Sequence, residues 1–378
     1  MKKIILMPDS FKGTMSSIEV SKIMETEIKK VYPDASILAY PIADGGEGTI
    51  DCFLKAKKGH LKKMWVSDPY GESIEAELGL LENGDVIIEV ASCIGLPLTE
   101  DKPIPGIATS FGVGEQIKAA LNSPTTKRII IGLGGSSTTD GGCGIAAALG
   151  VKFTDSEGKE FIPVGETLIN IKNIDISGLN PQVAQKQIIA MCDVENSLYG
   201  SKGAAFIFGP QKGADIDLIK KIDAGLRNLS SVVLNDLEID ISQLTGGGAA
   251  GGIGAGLYAF LGAKLQPGID TILETVQVEK ELSNTDLIIT GEGKIDSQSI
   301  EGKVIAGIAR MAKRNQVPAI AVVGDIGENI ESLYDTGISG IFSINRVAKD
   351  FQITKKNSKA DLSLTLYNLF HFIKTISS

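Results

Sequence analysis

The residues best suited to chemistry in this chain lie in short polar loops that follow apolar runs. Five of them read DSFKG (9–13), ADGGEGT (43–49), GEGKIDSQS (291–299), GDIG (324–327) and SINR (343–346). Two more, GLGGSSTTDGG (132–142) and DVEN (193–196), sit in the middle of the chain, and a stiff GPQKG turn occupies 209–213. They hold the lysines Lys12, Lys212 and Lys294, the carboxylates Asp9, Asp44, Glu47, Asp140, Asp193, Glu292 and Asp296, and the hydroxyls Ser10, Ser136, Ser137, Thr138 and Thr139. Phosphoryl transfer needs this combination: backbone and lysine donors for phosphate oxygens, carboxylates for magnesium, and a carboxylate to take the proton of the acceptor hydroxyl. An apolar redox site or an acyl-transfer site would not need so many carboxylates. With only His60 and His371 in the chain, little room is left for zinc hydrolysis or a Ser-His-Asp triad. Neither a Walker A motif nor the protein-kinase signature set is present.

Each of these residues also has a plainer reading. Lys12 and Lys294, taken singly, suit a solvated surface, and Asp9 and Asp44 suit turns or caps. Asp193 ends an apolar run and begins a loop, which favours a catalytic or metal role. Asp140 follows the glycine loop and hydroxyl cluster and precedes a small apolar helix, so it reads equally as a helix cap and as a ligand. Lys212, held between proline and glycine, suits the fixing of one charge. The run 129–150 orders strand, glycine loop, hydroxyls, carboxylate and helix, a sequence that can bring backbone N–H groups to an anion.

These loops must be positioned by regular elements. The first sixty residues read βαβα: a strand at 2–7, a helix opened by the capping box Ser16-Ser17-Ile18-Glu19, a strand at 36–42 and a helix at 49–58. A meander of strands at 61–67, 73–81 and 85–91 follows, with Asn83-Gly84 as a hairpin turn. Helices are expected near 110–121 and 217–235, a strand at 187–192 and a hairpin-like piece at 152–161. The parallel pattern returns with strands at 286–290, 317–323 and 340–344 and helices at 303–315, 328–335 and 362–376. A formal GxGxxG at Gly246, Gly248 and Gly251 follows no convincing strand and carries little weight as a dinucleotide site. The expected architecture is therefore α/β with two domains: a discontinuous Rossmann- or flavodoxin-like domain (1–62 and 284–378) with five parallel strands, and an inserted mixed α/β domain (63–283). Ligands bind beyond the carboxyl ends of parallel strands, so the expected site is a cleft between the domains.

The totals bound the remaining choices. At 378 residues two domains are the default, and a net charge of −9 argues against nucleic acid or an anionic membrane as partner. No signal peptide or membrane span is read, since the uncharged 246–263 stretch is rich in glycine. The widely spaced Cys52, Cys93, Cys143 and Cys192 suit reduced thiols in a cytoplasmic protein.

The motifs DSFKG, ADGGEGT, GLGGSSTTDGG, CDVEN (192–196), FGPQKGA (208–214), GGGAAGGIGAGL (246–257) and LIITGEGKIDSQS (287–299) together resemble the bacterial glycerate kinase family, type 1. The resemblance runs in order from about residue 3 to 345. It implies two α/β domains and phosphorylation of D-glycerate by ATP with Mg2+, ordinarily giving 2-phosphoglycerate. By motif it points to Lys12, Asp44, Glu47, Asp140, Asp193, Glu292, Lys294 and Asp296. On this reading Ser10, Gly134, Gly135, Ser136, Ser137, Thr138, Thr139, Lys212 and Glu292 bind substrate or phosphate, with the ATP phosphates against the glycine loops and the hydroxyls 136–139. Asp44, Glu47 and Asp193 are the expected metal ligands. Lys12 and Lys294 bind the glycerate carboxylate or the transferring phosphoryl group, and Asp193 or Asp296 takes the proton. A kinase for another small hydroxy acid, or 3-phosphorylation of glycerate, is the alternative. The protein is expected to act as a monomer or homodimer on small molecules alone.

Overall fold

The computed structural model describes the chain apart from Asp44, Lys102 and residues 297–303, 348–349 and 377–378. It is an α/β protein with one parallel and one mixed major sheet. The chain divides into two compact units: Met1–Asp44 with Asp51–Lys57 and Pro267–Ser378, and Gly45–Ile50 with Lys58–Gln266.

The first unit is built on five parallel strands in the order Ile338–Ser343, Ala319–Val323, Leu287–Gly291, Lys3–Pro8, Ser36–Ala39. The inner strands are continuous apolar runs, as a sheet covered on both faces requires. Successive side chains point to opposite faces. Ile4 and Leu6 thus share one core with Val20, Met24 and Ile28 of the Ser17–Val31 helix and with Leu366 and Phe370 of the Ser358–Ile376 helix. The capping box at Ser16 and Glu19 forms as its sequence predicts: the Ser16 hydroxyl accepts from Glu19 N at 3.2 Å, and Ser16 N donates to the Glu19 carboxylate at 3.0 Å. Because all five strands run the same way, their carboxyl ends lie at one edge.

The second unit has a six-stranded mixed sheet in the order Lys264–Gln266, Gln187–Met191, Arg128–Gly132, Asp85–Glu89, Ser73–Leu81, Gly59–Ser67. The first four strands are parallel, and the last two join antiparallel. Arg128 and Asp85, opposite one another in register, form a half-buried two-pronged ion pair at 3.1 and 2.5 Å, which holds that pairing in place. The core gathers Ile88, Ile129, Ile131 and Ile188 from the sheet with Ile117, Leu226, Leu229 and Ile253 from helices. A separate three-stranded sheet joins Lys152–Thr154 to Glu160–Phe161 and Asn173–Asp175.

Several elements differ from the sequence reading. The meander strand expected at 85–91 ends at Glu89 and also pairs in parallel with Arg128–Gly132, which joins the meander to the main sheet. Lys264–Gln266, too short and too polar to announce itself, is an edge strand. The helix expected at 328–335 is reduced to Ser332–Thr336, and the strand expected at 36–42 ends at Ala39. The GxGxxG segment opens a helix, Ala249–Leu261, whose backbone is left-handed at Ala250, Gly251 and Gly252. Among the described residues no helix is long and apolar enough to cross a membrane.

Candidate active site

In the first unit the parallel register sets Pro8 opposite Gly291, so Asp9 and Glu292 leave the sheet side by side. Asp9 N donates to Gly291 O at 2.8 Å, and the Asp9 carboxylate accepts from Ser10 N at 2.5 Å. Both acids are largely buried, Asp9 at 8% and Glu292 at 9% exposure. The DSFKG loop is a tight hairpin turn: Phe11 and Met15 exchange backbone hydrogen bonds and bury their side chains, which leaves Lys12 exposed at the tip. The Lys12 backbone nitrogen lies 3.2 Å from where a Cβ on Gly293 would stand, so the GEG glycine lets the two loops touch. The same loop is tied to GDIG, with Gly324 N on Glu292 O at 3.0 Å and Asp325 N on Gly293 O at 3.1 Å, and Lys294–Ile295 pairs with Asp325–Ile326. Lys294 is exposed, its Nζ 3.7 Å from the Asp296 carboxylate. Asp9, Ser10, Lys12, Glu292, Lys294 and Asp296 therefore share the carboxyl edge of one sheet. Residues 297–299 of the motif fall outside the described residues.

In the second unit the glycine loop leaves the Arg128–Gly132 strand, and Asp193 leaves the neighbouring Gln187–Met191 strand, with Gly132 opposite Met191. Asp193 is exposed. The Gly45–Ile50 segment packs on this loop: Gly134 N donates to Gly45 O at 2.9 Å, and a Cβ on Gly132 or Gly134 would stand 2.4 Å from Gly45 O or 2.6 Å from Gly46 Cα. Glu47 is exposed on the same segment, and Asp44 falls outside the described residues. Buried Glu89, at the end of its own strand, accepts from Ile50 N at 2.6 Å.

The hydroxyl cluster lies inside the fold. Ser136, Ser137, Thr138 and Thr139 are all buried; Ser137 Oγ donates to Ile94 O at 2.9 Å, while Thr138 Oγ1 and Thr139 Oγ1 have no hydrogen-bond partner among the described residues. Gly135 has a φ of +78°, which turns the chain between Gly134 and this cluster. Asp140 is fully buried and accepts four hydrogen bonds, from Ser110 N (2.7 Å), Ser110 Oγ (2.8 Å), Gly142 N (3.1 Å) and Gly144 N (3.2 Å). Two of these donors, Gly142 N and Gly144 N, lie at the start of the Cys143–Ala148 helix, so Asp140 anchors the loop to that helix end. Burial pushes the Asp140 carboxyl above its ordinary value, against the opposing pull of those donors. Lys212 is buried too. Its Nζ donates to Thr138 O at 2.5 Å and to Ser136 Oγ at 3.2 Å, and burial pushes its ammonium down to about 7, partly opposed by the charge of Asp140.

The glycine-dense helix start explains its own composition. A Cβ on Gly251 would stand 2.0 Å from Thr138 O, and Gly141 N donates to Gly251 O at 3.1 Å. The four cysteines are free, and burial raises Cys93 to about 12 and lifts Cys143 well above its ordinary value, so these two thiols are inert.

Among the described residues no group of three or more His, Cys, Asp or Glu side chains is placed to hold a metal ion. Mg2+ takes oxygen ligands and commonly needs one or two carboxylates beside substrate phosphates. The exposed carboxylates of Glu47 and Asp193 fit that donor preference.

Two positioning residues escaped the sequence reading. Ser110 reads only as the start of a helix, yet its backbone and hydroxyl both serve Asp140. Glu89 falls inside the strand expected at 85–91, which in fact ends on it; a carboxylate following the apolar run 86–88 is the signal that could have marked it.

The glycerate kinase family model matches residues 4–374. The chain is 42% identical to glycerate 2-kinase of Escherichia coli (strain K12) and 41% identical to glycerate kinase of Bacillus subtilis (strain 168), each over 344 residues covering 90% of both proteins. A crystal structure of a candidate glycerate kinase 2 from Salmonella typhimurium LT2 superposes with a TM-score of 0.88 at 38% identity, covering 100% of this chain and 99% of that one. On this agreement of family model, sequence and fold, the chain belongs to the glycerate kinase family and is an enzyme of the kinase class.

Proposed function

We propose that this enzyme transfers the γ-phosphoryl group of ATP to the 2-hydroxyl of D-glycerate, with Mg2+, giving 2-phosphoglycerate. The observation that carries the reading is the register of the five-stranded sheet, which sets Asp9 and Glu292 side by side with Lys12, Lys294 and Asp296 in the adjoining loops. Lys12 and Lys294 hold the glycerate carboxylate or the transferring phosphoryl group, with Ser10 and Glu292 on the substrate side. Asp193 or Asp296 accepts the proton of the attacking hydroxyl. The glycine loop with Gly134, Gly135 and the hydroxyls 136–139 serves the ATP phosphates; the unpartnered Thr138 and Thr139 hydroxyls support this. Glu47 and Asp193, with Asp44, would hold Mg2+, which supplies charge neutralisation on phosphate oxygens when bound. The name of the Escherichia coli relative, a glycerate 2-kinase, supports position 2 over position 3. The reading places the enzyme in the cytoplasm as a monomer or homodimer, with 1–62 and 284–378 as one domain and 63–283 as the other.

A coupled ADP-release assay with D-glycerate, L-glycerate and hydroxypyruvate, followed by 31P NMR of the product, tests this. Turnover should be highest with D-glycerate and the phosphate should sit on C2. A preference for another hydroxy acid, or a C3 product, replaces the reading with its rival. Asp193→Asn should lower kcat at least about 100-fold; near-normal turnover with normal Mg2+ dependence removes Asp193 from both of its roles.

A further inference from the structure

Lys212 spends its charge inside the protein. Its ammonium is buried, and its two hydrogen bonds run to the backbone of Thr138 and the hydroxyl of Ser136, both in the glycine loop. Asp140 grips the other end of the same loop through the two Ser110 donors and the N–H groups of Gly142 and Gly144. Residues 136–140 are thus clamped at one end by a cation and at the other by a carboxylate. Between the clamps, the Thr138 and Thr139 hydroxyls are buried and have no partner among the described residues. A buried hydroxyl without a partner is costly, and a segment free to relax would turn it toward one.

We propose that Lys212 is a positioning residue for phosphoryl transfer: by holding Thr138 O and Ser136 Oγ it keeps the Thr138 and Thr139 hydroxyls unpaired for phosphate oxygens, and it touches neither nucleotide nor glycerate. The proposal rests on the phosphate role assigned above to the glycine loop. It also gives Lys212 a different part from the phosphate contact that its GPQKG setting suggests.

Two measurements decide it. The wild-type enzyme is treated with an amine-acylating reagent, free and with saturating ATP and Mg2+, and modification is read by peptide mass spectrometry. Lys212 should react at least about 10-fold more slowly than exposed Lys159 in both states. Ready labelling of free protein with protection by ATP overturns the proposal in favour of direct phosphate contact. In kinetics, Lys212→Met should lower kcat at least about 100-fold, with KM for ATP and D-glycerate within about threefold. A raised KM for ATP at unchanged kcat, or kcat and KM both near wild type, overturns it. Should Lys212→Met not fold, Thr138→Val keeps the shape and removes only the hydroxyl. A fall in kcat of about 10-fold or more is then expected, and unchanged kinetics overturns the proposal. If the wild-type enzyme releases no ADP with any substrate, the assigned reaction fails, while the labelling pattern still decides the place of Lys212.

Discussion

At the scale of single residues, the buried pair of titrating groups in the glycine loop makes stability depend on pH. Burial brings the ammonium of Lys212 down to about 7 in the folded protein, against an ordinary lysine value of 10.5. Between these values the unfolded chain binds more protons, so stability rises with pH across that window. Below it both states are protonated and the full cost of burying the charge is felt. The rise is at most about 1.4 kcal/mol per pH unit for one group. Urea titrations from pH 6.5 to 9.5 should therefore show wild type gaining on Lys212→Met as pH increases. Parallel profiles would mean that Lys212 does not titrate in this window. Asp140 acts oppositely: burial raises its folded value, so stability falls as pH climbs from its ordinary value through the folded one.

At the scale of elements, the glycines of the GLGG motif answer to the approach of another backbone. Gly134 has room for no side chain because Gly46 Cα would lie 2.6 Å from its Cβ, while its N–H is taken by Gly45 O. Gly134→Ala must push the 45–49 segment, which carries Glu47, off the loop. Overpacking of this kind costs about 1–3 kcal/mol. The expected result is that destabilisation by urea together with a fall in ADP release of at least about 10-fold. Full activity at wild-type stability would show that the segment yields freely. Gly132 and Gly134 of this motif, like Gly251 of the later glycine run, make space for backbone.

At the scale of the whole molecule, each of the two units has its own core, one around Ile4, Leu6, Ile289 and Val322, the other around Ile129, Ile131, Ile188 and Leu226. Amides deep in separate cores exchange through separate openings when the cores unfold independently. Native-state hydrogen exchange in rising denaturant should sort the Lys3–Pro8 and Leu287–Gly291 amides onto one isotherm and the Arg128–Gly132 and Gln187–Met191 amides onto another. A single merged isotherm for all four strands would show that the two cores unfold as one.

The five parallel strands, the hairpin at Asn83-Gly84, the capping box and the carboxylate-rich loops were all legible in the chain, because each is written in local pattern: apolar runs, turn residues, side chains spaced to reach their own backbone. Family membership was legible for the same reason, in motifs that survive as contiguous strings. What the string could not show was burial. Asp140, Lys212 and the hydroxyls 136–139 read as groups of a polar loop, and nothing local says that they lie inside, where lysine and aspartate are rare. Only the packing of 110, 212 and 249–261 around residues 136–142 makes them internal. Likewise the parallel pairing of Asp85–Glu89 with Arg128–Gly132 sets Asp85 opposite Arg128 and Glu89 opposite Gly132, partners far apart in the chain. Such partners are chosen by the sheet as a whole, through long-range hydrogen bonds that no local spacing records.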